Sequence, residues 1–345
     1  MTLTEPRAQL HQECDLSDSE LQVLLREMIS ARLNSTRCFS LQRQGRSGTM
    51  APIDGAEALV VGSAAALDPE RDWVLPQYRE PLGLSRFGEE VVARTVRYMR
   101  GDPAGGFIPE PIRVWPQQIA LAAQLPQAVG LAWGMKLKRE EGVVLTYFGD
   151  GASSEGDFYE AGNLAGVLEA PVIFMCSNNS WAISTPVRRQ TAAASFAEKA
   201  AAFGFPGEKI DGCSVLEVYA ATRRARERAL AGEGPTLIEA VAYRLGPHTT
   251  ADDLTRYVPA EEIAEARKHD PIDLFRAELQ EVGLWSEELE AETVKEADER
   301  MDRMIAAAEA VVIEPDVIFE HVYERPTPRM ERQRAELLEG LSEDD

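Results

Sequence analysis

The sequence predicts an α/β protein: a parallel sheet with helical arms at both ends. Two continuous apolar runs of strand length, "GVVLTYF" and "PVIFMCS", enclose a segment with helical periodicity, "DFYEAGNLAGVLEA". Strand, helix and strand in so short a span form a βαβ unit, and such units build parallel sheets. The same alternation returns in "EKIDG", "VLEVYAATRRARERALAG" and "PTLIEAVAYR".

Along the chain, Ser17 and Glu20 have capping-box spacing, and Leu21, Leu24, Leu25, Met28 and Ile29 follow on one helical face. This predicts a helix from about Asp18 into the turn "LQRQGRSG". A second helix is expected over "DGAEALVVGSAAAL", ending before Asp68 and Pro69. "DWVLPQYRE" reads as a short strand that empties into a loop. A long helix is expected over "QQIALAAQLPQAVGLAWGMKLKRE", whose alanines and glycines permit close packing. From Pro259 onward the chain is charged and helical, and it closes with the acidic "LSEDD". The expected division is a helical arm over 1–48, an α/β domain over 49–258 and a helical region over 259–345.

Composition narrows the function. With 36 basic and 58 acidic residues, the 345-residue chain carries a net charge of -22. A polyanion needs a basic footprint, so nucleic acid and anionic membrane are excluded as main ligands. Cys14, Cys38, Cys176 and Cys213 are scattered without a CxxC pair, which points to reduced thiols. The N-terminal stretch has neither the apolar core of a secretory signal nor the acid-poor composition of a transit peptide. No apolar run reaches the length of a membrane span. The expectation is a soluble, cytoplasmic protein.

The βαβ unit places chemistry at one edge. Ligands of open parallel sheets bind beyond the carboxyl ends of the strands. Asp150 follows the first strand and the pair Asn178 and Asn179 follows the second. A carboxylate and an amide oxygen are hard ligands suited to Mg²⁺, which takes further ligands from phosphate and water. Gly149 and Gly151 allow a tight turn close to a phosphate, and the helix entering at Ser153–Asp157 offers unpaired N–H groups. The plainer alternative is a strand-to-helix turn and an Asx turn.

"GDG" followed across a helix and a strand by "NN" resembles the thiamine diphosphate and magnesium motif of thiamine enzymes. "YFGDGASSEGDF" and "NNSWAISTP" are similar to the α subunit of the decarboxylating component of 2-oxo acid dehydrogenases. The resemblance runs from "QRQGR" to "RLGPHTTADDLTRY" and into the helices beyond. It implies a thiamine diphosphate-binding fold, with Mg²⁺ held by the side chains of Asp150 and Asn179 and the carbonyl of Trp181. It also implies that Gly151 and Ala152 lie against the diphosphate, that Tyr78 and Arg79 contact it, and that Leu121 supports the cofactor ring. His248 takes the place of the family's active-site histidine on a mobile loop, both cofactor contact and proton-transfer group. Thr249 stands where some relatives carry a regulatory phosphoserine. The implied reaction is oxidative decarboxylation of a 2-oxo acid with acyl transfer to the lipoyl domain of a dihydrolipoyl acyltransferase core. A β subunit completes the active site, giving an α2β2 heterotetramer.

The chain also departs from the family. Ile119 replaces a hydroxyl, "DPAGGFIPEPIRVWP" lacks the usual basic, histidine-containing segment, and Ser177 replaces an arginine frequent in branched-chain members. "QRQGR", "GSAAALD" and "QYRE" favour a branched-chain 2-oxo acid of the 2-oxoisovalerate type, with pyruvate as the alternative. A reading of another class is a non-catalytic subunit that binds a phosphate metabolite. "RRARER" is expected to be the solvated face of a helix, Cys176 a core residue, and His11, His269 and His321 structural or exposed.

Overall fold

Ser17 caps the first long helix, α1 (Asp18–Arg43), through the reciprocal pair expected from its spacing: its hydroxyl accepts from the Glu20 N–H at 3.3 Å, and the Glu20 carboxylate accepts the Ser17 N–H at 2.7 Å. The structure is a computed structural model and describes residues 14–320 and 322–343. Helix α2 (Glu57–Ala65) is buried around almost its whole circumference, as an all-apolar helix must be. Strand β1 (Trp73–Leu75) leads into the loop that carries Tyr78 and Arg79. Helix α3 (Glu89–Met99) buries Val91, Val92, Thr95 and Val96, a helically spaced stripe, and is an element not named among the expected ones.

The next helix, α4, spans Gln124–Lys138, so the helix expected from Gln117 begins seven residues late. Pro126 explains the difference. In a helix begun at Gln117 it would sit in the interior, without an N–H to donate and with its ring against the carbonyl of Ala122. In the observed helix it is the third residue, where the N–H has no helical partner in any case. Ala122 turns the preceding chain at a φ of 62°.

There follow β2 (Val144–Gly149), α5 (Gly156–Leu168), β3 (Val172–Asn178), the small hairpin β4 (Trp181–Ala182) and β5 (Thr185–Pro186), β6 (Gly207–Asp211), α6 (Val215–Leu230) and β7 (Thr236–Val241). The main sheet has the order β1-β2-β3-β7-β6 with every pair parallel, as the α/β expectation requires. Leu145, Tyr147, Ile173, Met175 and Ile238 face α2 and α6 on one side. Val144, Phe148, Val172, Phe174 and Leu237 face α4 and α5 on the other. This two-sided burial is why the central strands read as unbroken apolar runs. Each fully buried Leu or Phe contributes roughly 1.5–3 kcal/mol.

The C-terminal helices are α7 (Ala260–Ala266), α8 (Pro271–Glu281), α9 (Glu287–Glu309), α10 (Val317–Glu320) and α11 (Pro328–Glu343). Helix α9 packs along α1, with Arg26 on Glu292 at 3.0 Å and Arg37 on Asp298 at 2.7 Å. The arginine run on α6 is not simply a solvated face. Arg226 reaches the fully buried Asp72 at 2.6 Å, while Arg224 pairs with Glu208 and Arg228 with Glu233. A buried carboxylate at the foot of β1 needs a cation within reach, and α6 delivers one. Cys176 lies in the core, and the four cysteines form no disulfide. Among the described residues no helix is long and apolar enough to cross a membrane.

Candidate cofactor site

The strand register brings the polar residues together. Gly149 lies beside Ser177 and Asn178 beside Val241, so three neighbouring strands end at one level. Asp150 leaves β2 into a 3₁₀ turn, Asp150–Ser154, closed by the Ser153 hydroxyl donating to the Asp150 carbonyl at 2.8 Å. This turn separates the strand from α5, whose first residue, Gly156, falls within the Ser153–Asp157 entry expected from the sequence. The Asp150 side chain is 1% exposed. Its Oδ2 accepts from Gln190 Nε2 at 2.6 Å, and its carboxylate accepts the Asn179 backbone N–H. Burial pushes its pKa up, while these bonds and the charge of Arg244 pull it back.

The two asparagines have different tasks. Asn178 turns inward, donating from Nδ2 to Glu239 Oε1 at 2.7 Å and accepting the Ser180 N–H at 3.1 Å. Asn179 is half-buried, and its Oδ1 accepts the Trp181 N–H at 3.1 Å. Both are Asx turns, so the turn reading of this pair is correct as local geometry and leaves a ligand role open. The Trp181 carbonyl accepts from Arg244 Nη1 at 3.2 Å. Gly151 is required by close approach: a Cβ there would lie 2.7 Å from the Cβ of Ala182 on the hairpin. Gly149 has an ordinary φ of −83°, so it is not needed for an unusual turn. The Ala152 side chain belongs to the apolar layer with Phe148 and Phe158, which leaves its main chain for any ligand.

Arg79 is 6% exposed and donates to the carbonyls of Pro52 and, at 3.2 Å, His248. Both partners are neutral, and among the described residues the guanidinium makes no ion pair; burial lowers its pKa. Two more buried polar atoms lack a partner, Nε2 of Gln77 and Oε1 of Gln190. A buried guanidinium with no salt-bridge contact among the described residues, an amide donor without an acceptor and a buried carboxylate within one site fit an anionic phosphate group accompanied by a hard cation. Among the described residues no three His, Cys, Asp or Glu side chains gather as a metal cluster. The oxygens available here are one carboxylate, one amide and one carbonyl.

His248 adjoins these polar residues. Its backbone N–H donates to Asp252 at 2.8 Å, its ring meets Tyr78 edge-on at 6.1 Å between centroids, and Nδ1 lies 3.4 Å from Arg244 Nη1. Burial, then the charges of Arg79 and Arg244, pull its pKa down to about 4, against the opposing charge of Asp252. The imidazole is therefore neutral near pH 7 and available as a base. Arg244 is a hub that the sequence motif contained without revealing its role. Besides the Trp181 carbonyl it serves the carbonyl of Ile183 at 3.0 Å and the Tyr257 hydroxyl at 3.0 Å, and Tyr257 donates to Asp252.

Tyr78, Ile119, Leu121, Ile183, His248 and Thr249 line a cleft of about 560 Å³. Leu121 and Ile119 project into it from the extended run before α4 and are 41% and 59% exposed. His269 lies elsewhere, in a second cleft with Cys213 and Tyr243, and His11 and His321 fall outside the described residues. Sequence reasoning missed Gln77, although it opens the "QYRE" stretch, and it missed Gln190 and Glu239, whose partners Asp150 and Asn178 lie far away in sequence.

The profile of the family described as dehydrogenase E1 component matches residues 25–315. The chain is 46% identical over 296 residues to the pyruvate dehydrogenase E1 component subunit alpha of Bacillus cereus, covering 86% of this chain and 79% of that one. Identity to the subunit of the same name from Bacillus subtilis is 45% over 297 residues, covering 86% and 80%. For Staphylococcus aureus it is 45% over 284 residues, covering 82% and 76%. These relatives are named for pyruvate, whereas the short motifs had favoured a branched-chain acid. Of those motifs, "QYRE" reaches the cleft through Tyr78, and the other two answer to packing and ion pairing. "GSAAALD" starts on the buried helix α2, where a Cβ on Gly62 would lie 2.6 Å from the Val215 carbonyl, so it answers to packing. Arg46 of "QRQGR" pairs with Glu309 at 2.7 Å and is not itself among the residues that line the cleft.

Proposed function

Since the chain belongs to the dehydrogenase E1 component family, as the α subunit of a thiamine diphosphate-dependent 2-oxo acid dehydrogenase, we propose that its substrate is pyruvate. The branched-chain reading gives way to this one because the similarity to pyruvate subunits extends over more than four-fifths of the chain. The observation that carries the site assignment is the convergence of Asp150 and the Asn178–Asn179 turn at one sheet edge, with Arg79 buried and making no salt bridge among the described residues.

In this reading Asp150, Asn179 and the Trp181 carbonyl hold Mg²⁺, and Tyr78, Arg79 and the Gly151–Ala152 main chain receive the diphosphate. Arg79 suits that task because a guanidinium pairs with phosphate through a fork of donors. When bound, thiamine diphosphate supplies the nucleophilic carbon and the electron sink for loss of CO₂ from a 2-oxo acid. The chain's own residues bind and orient it. Leu121 supports the ring from the cleft wall, and His248 handles a proton at its imidazole during acyl transfer. A β subunit completes the site, the α2β2 assembly delivers the acyl group to the lipoyl domain of an acyltransferase core, and the chain works in the cytoplasm.

The test is co-expression with a β subunit and decarboxylation assays with an artificial electron acceptor on pyruvate, 2-oxoisovalerate and 2-oxoglutarate. Pyruvate should give the highest kcat/KM, and the α chain alone should be inactive. A preference for 2-oxoisovalerate would restore the branched-chain assignment.

A further inference from the structure

Glu239 is an unusual residue for its place. It sits on β7, between β3 and β6 in a parallel sheet, and is 1% exposed. Such positions ordinarily take Val, Ile or Leu, and an ionised carboxylate there has a high desolvation cost unless its oxygens are bonded. Both oxygens are bonded, and neither donor is a cation. Oε1 accepts from Asn178 Nδ2 at 2.7 Å, and Oε2 accepts the Ala197 backbone N–H at 3.0 Å.

These two bonds lead to opposite sides of the site. Asn178 is the inner member of the asparagine turn, so fixing its amide fixes the backbone from which Asn179 and Trp181 project. Ala197 anchors the far end of the segment that follows the hairpin, and that segment carries Gln190. Gln190 in turn donates from Nε2 to Asp150 Oδ2 at 2.6 Å and to the Thr185 carbonyl at 3.0 Å. We propose that Glu239 is a positioning residue that sets both halves of the cation site, the asparagine turn directly and Asp150 through the Ala197-to-Gln190 segment. The inference rests on the assignment of Asp150 and Asn179 to Mg²⁺ made above.

A neutral amide in place of the carboxylate breaks this arrangement without changing its shape. In Glu239→Gln one oxygen still serves one donor, but the NH₂ group then faces the other N–H. Groups that orient metal ligands typically change metal affinity by about 10–100-fold when mutated. The experiment titrates Mg²⁺ by calorimetry into the chain co-purified with its β partner at saturating thiamine diphosphate, and follows hydrogen exchange in residues 187–197. Glu239→Gln should raise the Kd for Mg²⁺ about 10–100-fold and speed exchange in that segment. Gln190→Ala should weaken Mg²⁺ in the same direction, and the double variant should lose less than the product of the two single losses. A Glu239→Gln complex with a lowered Tm but a Kd within twofold of wild type would overturn the proposal, since a merely structural role predicts that result. If Glu239→Gln does not assemble, Gln190→Ala decides: an unchanged Kd overturns the proposal. Failure of the wild-type complex to take up Mg²⁺ and thiamine diphosphate would instead strike at the cofactor assignment itself.

Discussion

The two walls of the cleft are built differently. The polar wall stands on strand ends: Asp150, Asn178 and Arg244 are at most 7% exposed, and each is held by hydrogen bonds to groups distant in sequence. The apolar wall stands on an extended run before α4, where Ile119 and Leu121 are largely uncovered and Ala122 carries the turn. Preorganised dipoles and charges gain from a rigid, water-poor setting, whereas an apolar wall needs only shape. The difference teaches that substitutions in the polar wall should act on binding and stability together. Substitutions in the apolar wall should act on substrate or cofactor fit alone.

The largest break in this contrast should come from Asp150→Ala. It removes the one carboxylate at the end of β2, takes the Asn179 N–H's acceptor away and leaves Gln190 Nε2 with the Thr185 carbonyl alone. Affinity for Mg²⁺ with thiamine diphosphate should fall by more than about 100-fold, beyond the range typical of groups that only orient a ligand. Calorimetry on the assembled enzyme measures this. Equal affinity in the variant would show that the polar wall is not the cation site.

His248 belongs to neither wall alone, and its titration reports on the meeting of the two. His248→Ala should lower acyl transfer by about 10²–10⁴-fold, as expected for loss of a positioned acid–base group, while cofactor affinity stays near wild type. The imidazole pKa of about 4 lies below its ordinary 6.5, so the unfolded chain takes up this proton first as pH falls. The associated stability is complete above pH 6.5 and is lost as pH drops toward 4. Because Arg79 is one of the charges that depress it, a diphosphate on Arg79 should raise the His248 pKa. Histidine-resolved NMR with and without Mg²⁺ and thiamine diphosphate reads the shift, and an unmoved titration would separate Arg79 from the diphosphate.

How much of this was legible in the sequence follows the same division. The sheet core was readable because β2 and β3 are buried on both faces and so are continuous apolar runs. The meeting of Asp150 with the asparagine pair was readable because these residues sit within one βαβ unit. Helix α3 was legible too, since Val91, Val92, Thr95 and Val96 recur at helical spacing, but their β-branched character, which weighs against a helix locally, drew attention away from that stripe. The start of α4 was missed by following periodicity through Pro126. Glu239 and Gln190 were invisible because their partners lie 61 and 40 residues away and no motif links them. Hydrogen-bond partners chosen through space leave no spacing to read.

The smallest effect should come from the apolar wall. Leu121 is 41% exposed and makes no contribution to the buried clusters, so Leu121→Ala should leave the Tm of the assembled enzyme unchanged within the ~0.5 kcal/mol usual for surface positions. Its cost should appear as fit. Even one methylene removed from an apolar wall is worth about 1–3 kcal/mol where the ligand covers it, so apparent cofactor affinity should fall by about 10–200-fold. The pair of measurements separates the two walls: Asp150→Ala should move both binding and stability, Leu121→Ala binding only. A Leu121→Ala enzyme that melts early while binding normally would invert the comparison, making the extended run a structural support and leaving the cofactor ring to be carried from elsewhere.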